Sequence, residues 1–424
     1  MSRDSKPAIL GLKRSFGFGD RLGLATPGHI EAIKGKPFAG IFAQQSIREL
    51  QRTNRQPVDV MNAAVNAVVA EKWENSWGAD ADHLQNREDV FRMADSGYTF
   101  FTIDPSKYVN NNADSLSSDI LKNIYDELTT QNKLESSDIL ERYLGESFQL
   151  IYSLKLAFNN QSNLLRAIIK YGVALKYTLK MYKWICEACQ NRPFEVELSV
   201  DETDTPTTPL EHLFIGLELK RMGVNVISVA PRFIGAFEKG IDYKGNISKF
   251  ENHFVQHAEI AKFCGPYKLS IHSGSDKFSI YPIIGRISGE NLHVKTAGTS
   301  YLEALRVICL TDIALFREIA THSRIRFNKD KMSYHISAKL NHIPERINND
   351  EMENWYLVNE SGRQILHVTY GSVLVGGTDS KGHPLKDRIM NNLIKNEELY
   401  REFLQRHLGK HIDLLLSQIN MSAH

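Results

Sequence analysis

Eight short apolar segments, each ending at a polar residue on the same side of the strand it would form, punctuate the chain as far as Thr296. They are Ser15–Leu22, Ala39–Gln45, Trp77–Asp80, Tyr98–Asp104, Phe194–Glu202, Val224–Arg232, Lys268–Ser273 and Leu292–Thr296. Eight is the strand count of a closed (β/α)8 barrel of the TIM type, and such barrels carry their reactive groups at the carboxyl ends of the strands. The pattern therefore implies an α/β fold and locates the chemistry together. An open sheet of eight strands is the competing arrangement.

Side chains alternate faces along a strand. In Phe194–Glu202 the apolar series is Val196, Leu198, Val200, and the other series is Glu195, Glu197, Ser199, Asp201. If the apolar series packs on outer helices, the polar series points inward. The same phase on all eight segments gives a ring of Arg21, Gln44, Asp80, Asp104, Asp201, Arg232, His272 and Lys295. One layer lower, Glu195 and Glu197 are expected beside Lys268 as buried partners.

A bare barrel takes about 250 residues, and the chain has 424. The surplus falls in two places. Residues 1–330 form the barrel, interrupted at 107–192 by a helical insertion after the fourth strand; residues 331–424 form a mainly helical C-terminal extension. Within the insertion the spacing predicts a helix through Ile139, Leu140, Leu144, Phe148 and Ile151. An insertion there either shapes the active site or serves packing and homo-oligomer formation. The formal net charge of +1 gives no reason to expect a nucleic-acid or anionic-membrane partner. No apolar run is long enough to span a bilayer and the N-terminus has no secretory core, so the expected location is cytoplasmic. Cys186 and Cys189 form a C-x-x-C inside a helical stretch, with no second pair to complete a zinc site.

The segment SVDETDTPTTPLEH leaves a strand with Asp201, Glu202 and Asp204, and His212 follows on the next helix; His272 ends a strand two places on. Imidazole with carboxylate suits Zn, Mn, Ni or Co. Asp201, Glu202 and His272 are therefore candidate metal ligands, with the choice between Asp201 and Glu202 open. His367, inside the apolar piece Gln364–Leu374, is a core histidine or a further ligand. Asp80, Asp82 and His83 crowd the third strand end as ligands or acid/base groups, Asp82 equally as a helix cap. Ser273 and Lys277 lie in a donor-rich loop, and Arg21, Arg232 and Lys277 are suited to an anionic group, arginine by a bidentate grip. The glycines of FGFGDRLG depart from a dinucleotide fingerprint, so no NAD is expected. His253, His257, His407 and His411 read as solvated residues on polar helices.

At SFGFGDRLGLATPGH, FAQQSIREL, WGADADHL, VDETDTPTTPLEH, PRFIGAFEKGIDY, KLSIHSGSDKFSIYP, KTAGTSYLEALR and HVTYGSVL the chain resembles the tagaturonate/fructuronate epimerase family of hexuronate catabolism. The resemblance implies a metal-dependent barrel isomerase that interconverts D-tagaturonate and D-fructuronate, and raises fructose and tagatose as further ketohexose substrates. These ketouronates differ at a carbon that is not alpha to the ketone, so removal of its C–H proton does not invert it. Retro-aldol cleavage and re-addition remains, with the metal stabilising an enediolate. Asp80 or Asp104 is the expected base, and Lys295 is expected to stabilise the aldehyde oxygen or act as the acid. Arg21 or Arg232 is expected at the uronate carboxylate, and Gln44 and Ser273 at other substrate oxygens. The alternatives are a ketose 3-epimerase or aldose–ketose isomerase and, in another class, a non-catalytic sugar-acid-binding barrel.

Overall fold

The computed structural model describes residues 5–150 and 154–419. Its centre is a closed barrel of eight parallel strands. In chain order the strands are β1 (Ser15–Gly19), β2 (Ala39–Ser46), β3 (Gly78–Leu84) and β4 (Phe100–Ile103), then β5 (Ser147–Gln149) and β6 (Lys155–Ala157) as a separate antiparallel hairpin, then β7 (Glu195–Ser199), β8 (Ser228–Ala230), β9 (Lys268–Ile271) and β10 (Leu292–Thr296). The ring runs β1-β10-β9-β8-β7-β4-β3-β2. Each barrel strand overlaps one of the eight apolar segments, β3 running past its expected end, and helices surround them. Among the described residues no helix is long and apolar enough to cross a membrane.

The floor of the barrel is sealed by the N-terminal segment. The backbone N–H of Leu10 donates to the Glu195 carboxylate at 3.0 Å, and Gly11 N–H does the same. Lys268 donates to Ser15 Oγ at 3.1 Å, and burial draws its amine down to about 8 against the pull of Glu195 and Glu197. Gly17 is required where it stands: a Cβ there would lie 1.7 Å from Gln44 Oε1. Gly19 would similarly press on Ala297 O at 2.6 Å. The glycines of FGFG thus let neighbouring groups approach β1.

The insertion after β4 departs from the expected helix. The helix Ile139–Tyr143 stops after five residues, Leu144 is extended, and Gly145 takes φ +91°, a conformation that ends a helix. Phe148 then sits in the hairpin β5–β6; Ile151 lies outside the described residues. The long helix Gln161–Cys189 carries Cys186 and Cys189, both free thiols, and leads into β7.

The C-terminal extension packs on the barrel. Gly28, on the helix Thr26–Ile33, admits the helix Glu397–Leu416 so closely that a Cβ would lie 2.7 Å from Leu404 Cβ. Gly285 does the same against Leu415 O, at 1.7 Å. The helix Glu360–Leu374 lies against Ile313–Asp330 and carries His367 toward the barrel.

Candidate active site

Five strands deliver one connected polar cluster to the carboxyl end of the barrel. Lys295, from β10, is its hub. Its Nζ lies 2.8 Å from Asp80 Oδ2, 2.7 Å from Asp82 Oδ1, 2.8 Å from Glu197 Oε1 and 2.6 Å from Thr102 Oγ1. Thr102 passes the contact on, donating to Asp80 Oδ1 at 3.0 Å. His272 shares the Glu197 oxygen through Nε2 at 2.7 Å and faces Asp201 Oδ1 through Nδ1 at 3.2 Å.

Strand β3 contributes more than its sequence suggests. It continues past Asp80 to Leu84, so Asp82 keeps the inward phase; the N-cap of the next helix is Asn86. Between Ala81 and Leu84 the pairing with β4 slips, and His83 adopts φ +53°. The bulge turns His83 toward the cluster, where its ring stands edge-to-face 5.0 Å from His272. Asp104 accepts from His83 Nδ1 at 3.2 Å, from Gln85 at 2.8 Å and from Ser106 N–H at 3.0 Å. Those bonds hold its carboxyl below the usual range despite burial. Asp104 therefore orients His83.

The cluster divides its charge unevenly. Burial, reinforced by Asp82 and Glu197, lifts the Asp80 carboxyl to about 7 even with Lys295 beside it. Burial also opposes charge on Glu197, yet Lys295 and His272 hold it well below the carboxylate range. Asp201 stays ionised for the same reason, against burial, beside His272. Burial disfavours imidazolium at His272, but Asp201 and Glu197 outweigh it and raise the ring to about 9. Asp80 is thus poised to exchange a proton near neutrality.

Asp82, His83 and His272 present ligand atoms within 4.8 Å of one another, and His83, Asp104 and Glu202 form a second such group beside them. Glu197 Oε2 is buried without a hydrogen bond, while Asp80 Oδ2 is met by Lys295 and His272 Nδ1 by Asp201. Carboxylate and imidazole groups gathered this closely, with one buried carboxylate oxygen still unbonded, form a donor set that suits a divalent ion.

Above the cluster opens a cavity of about 240 Å3. His272, Asp201 and Ser273 line it below, Arg232 and Lys239 stand on one wall, and Arg48 on another. Tyr334 and His335, from the extension, complete it. Lys239 donates to Ser273 Oγ at 2.5 Å. Arg48 pairs with Glu202 at 3.3 Å.

The remaining expected site residues, apart from Glu202, do not line the cavity. Arg21 is buried, paired with Glu49 at 3.0 Å and stacked 3.5 Å over Tyr370. Gln44 donates to Thr296 O inside the barrel at 3.2 Å. Lys277 is buried and gives its ammonium to the carbonyls of Glu238, Ile241 and Ser275. Glu202 is exposed at the rim. His367 is buried with both ring nitrogens unpartnered, packed over Gly298, and belongs to none of the ligand groups among the described residues. His212 turns away from the acids into the helix layer and bonds His257 and Tyr267.

His257 and His411 are fully buried and His253 and His407 partly so, in contrast to the solvated positions expected from their helices. His407 and His411 strap the loop after β9. Asp276 N–H donates to His411 Nε2 at 2.9 Å, while Asp276 Oδ1 meets His407 Nε2 at 2.6 Å and Oδ2 accepts from Arg363 at 2.8 Å. Because His411 Nδ1 also bonds His407 O, both of its nitrogens are used within the protein. The strap holds Ser273 and Asp276 at φ +52° and +61°, just beyond His272.

Comparison with known proteins agrees with this architecture. The sequence matches the family profile described as UxaE, tagaturonate epimerase, over residues 3–415. It is 42% identical over 414 residues to the tagaturonate/fructuronate epimerase of Thermotoga maritima, covering 97% of this chain and 82% of that protein. Crystal structures of fructuronate-tagaturonate epimerase UxaE from Cohnella laeviribosi superpose with a TM-score of 0.91. The native form is 38% identical and a glycerol complex 37%, each alignment covering 97% of this chain and 83% of theirs. The chain belongs to the tagaturonate epimerase family.

Proposed function

We propose that the chain is an isomerase that interconverts D-tagaturonate and D-fructuronate by inverting C4 through reversible cleavage of the C3–C4 bond. The observation that carries this reading is the buried Lys295–Asp80–Glu197–His272 cluster opening into a cation-walled cavity, in a chain that matches its family nearly end to end. An anionic sugar fits the walls. A reaction that moves a hydroxyl proton fits the floor.

Asp82, His83 and His272, with Asp201 against His272, are the residues that would hold a divalent ion; Zn, Mn, Ni and Co all suit such ligands. The ion would supply Lewis acidity to the oxygens of the ketose. Asp80, with its carboxyl lifted to about 7, takes the C4 hydroxyl proton and returns it after re-addition. Lys295 fixes Asp80 and presents an ammonium where oxyanion charge develops. Glu197 orients both Lys295 and His272. The loss of the water shell in this buried floor strengthens each of these contacts.

The test is to strip purified protein with chelator, reload it with each metal, and follow D-fructuronate by NMR in D2O. Formation of D-tagaturonate without deuterium at C4 supports the reading. Deuterium at the carbon next to the ketone points instead to the 3-epimerase or aldose–ketose isomerase alternative. A folded, loaded protein that binds the sugar without turnover points to the binding barrel.

A further inference from the structure

Two cations that line the cavity, Arg232 and Lys239, stand apart from the paired ones. Among the described residues neither Arg232 nor Lys239 makes an ion pair. Arg232 donates through Nη1 to the backbone carbonyl of Thr203, and Lys239 donates to Ser273 Oγ. The nearest acid in sequence, Glu238, is already occupied: its Oε2 accepts from Ser337 N–H at 2.7 Å, Ser337 Oγ at 2.8 Å and Gln364 Nε2 at 2.7 Å. Arg48 differs, being paired with Glu202. By contrast, Lys295 is paired by acids and Lys277 is saturated by three carbonyls. Positive charge left unpaired beside a cavity is suited to an anionic ligand.

We infer that Lys239 and Arg232 form the subsite for the carboxylate of the sugar, and that they retain the carboxylate-bearing fragment while its C4 carbonyl turns over. The inference rests on the retro-aldol epimerase reading above. Lys239 is tied to Ser273, the residue after His272, so the anchor and the reacting floor share one loop. Cleavage of C3–C4 sends the bonding electron pair into the C2–C3 enediolate and the O4 proton to a base. The C4–C6 piece becomes an aldehyde that still carries the carboxylate. Re-addition to the opposite face of C4 re-forms the bond, and the proton returns to O4. Atoms and electrons balance with no outside reagent. Only the C4–C6 piece must rotate, and a carboxylate held at one end leaves the aldehyde at the other end free to present either face.

The experiment follows [6-13C]-D-fructuronate by NMR with metal-loaded wild type, Lys239→Met, Lys239→Arg and Arg232→Gln, each checked for the wild-type melting temperature. Loss of one charge-assisted contact is expected to raise KM about 10- to 100-fold. Lys239→Met and Arg232→Gln should also release labelled three-carbon aldehyde into solution, and Lys239→Arg should restore retention in part. A KM within twofold of wild type and no released aldehyde would overturn the subsite. In wild type alone, independent of any variant's folding, D-gluconate should compete at least tenfold better than D-glucitol; equal inhibition would overturn it too. Failure of the wild type to convert D-fructuronate at all overturns the parent epimerase reading, a separate result from a converting enzyme indifferent to Lys239.

Discussion

His272 and His212 are both buried, and the protein holds them in opposite states. His272 sits between the Glu197 and Asp201 carboxylates and is raised to about 9. His212 sits between two helices, against His257 at 2.7 Å and Tyr267 at 2.9 Å, and burial pushes it down to about 3. Burial opposes charge on both. What separates them is the number of acids within reach: two for His272 and no ion pair for His212 among the described residues. The surroundings of His272 favour charge and those of His212 oppose it.

The sharpest way to break this division is at Lys295. Lys295→Met leaves Asp80, Asp82 and Glu197 facing one another without a cation. Initial rates on D-fructuronate should fall at least about 1,000-fold, the scale expected when a preorganised charge is removed from a buried site. A fall of less than tenfold in folded protein would remove Lys295 from the reaction.

The paired histidines come next. His272→Gln should lower kcat about 100- to 1,000-fold, the scale of a lost acid/base or electrostatic group, and weaken metal retention measured by elemental analysis after dialysis. His212→Asn should leave kcat within twofold and lower stability by about 1–3 kcal/mol, the cost of unsatisfied buried polar groups. Equal losses of activity from the two variants would erase the contrast.

Acid should expose the same difference without mutation. His29 is lowered to about 4, His253 to about 4 and His212 to about 3, with burial the first cause in each. In the unfolded chain each takes up a proton near 6.5, so the unfolded state binds more protons between that value and the folded one. Their contribution to stability is complete above pH 6.5 and is lost as pH falls from there toward 3. Urea unfolding from pH 6.5 to 4 should show a drop of the midpoint, and His212→Asn should flatten it. A midpoint that rises on acidification over that range would contradict neutral buried histidines.

The smallest effect is expected at the strap. His411→Ala removes the acceptor of Asp276 N–H and should cost about 1–3 kcal/mol, as an unsatisfied buried donor does. Because that loop carries Ser273, KM should rise several-fold with kcat nearly unchanged. A kcat loss larger than the KM change would place His411 in the reaction.

How much of this was legible depended on where each residue sits. The barrel could be read because strand period and inward phase are local properties, and Asp80, Asp201, His272 and Lys295 all follow that phase into the cluster. Glu197 follows the phase and pulls on Lys268 as expected, but its carboxylate also reaches Lys295 and His272, since alternation gives the face and not the reach of the side chain. Asp82 and His83 stand among the candidates at the third strand end, but the slip in β3 that turns His83 to the cluster is announced by no periodicity. Lys239, Tyr334 and His335 stand on loops, where position is set by tertiary contacts such as Ser337 to Glu238. Arg21 kept the right strand end, but its neighbour Glu49 and the ring of Tyr370, contributed from outside the barrel, absorb its charge.

The most direct measurement is the NMR time course of metal-reloaded protein with D-fructuronate in D2O. The expected result is D-tagaturonate with protium retained at C4, and none from the chelated protein. No D-tagaturonate with any metal, or deuterium at the inverted carbon, would contradict a retro-aldol epimerase.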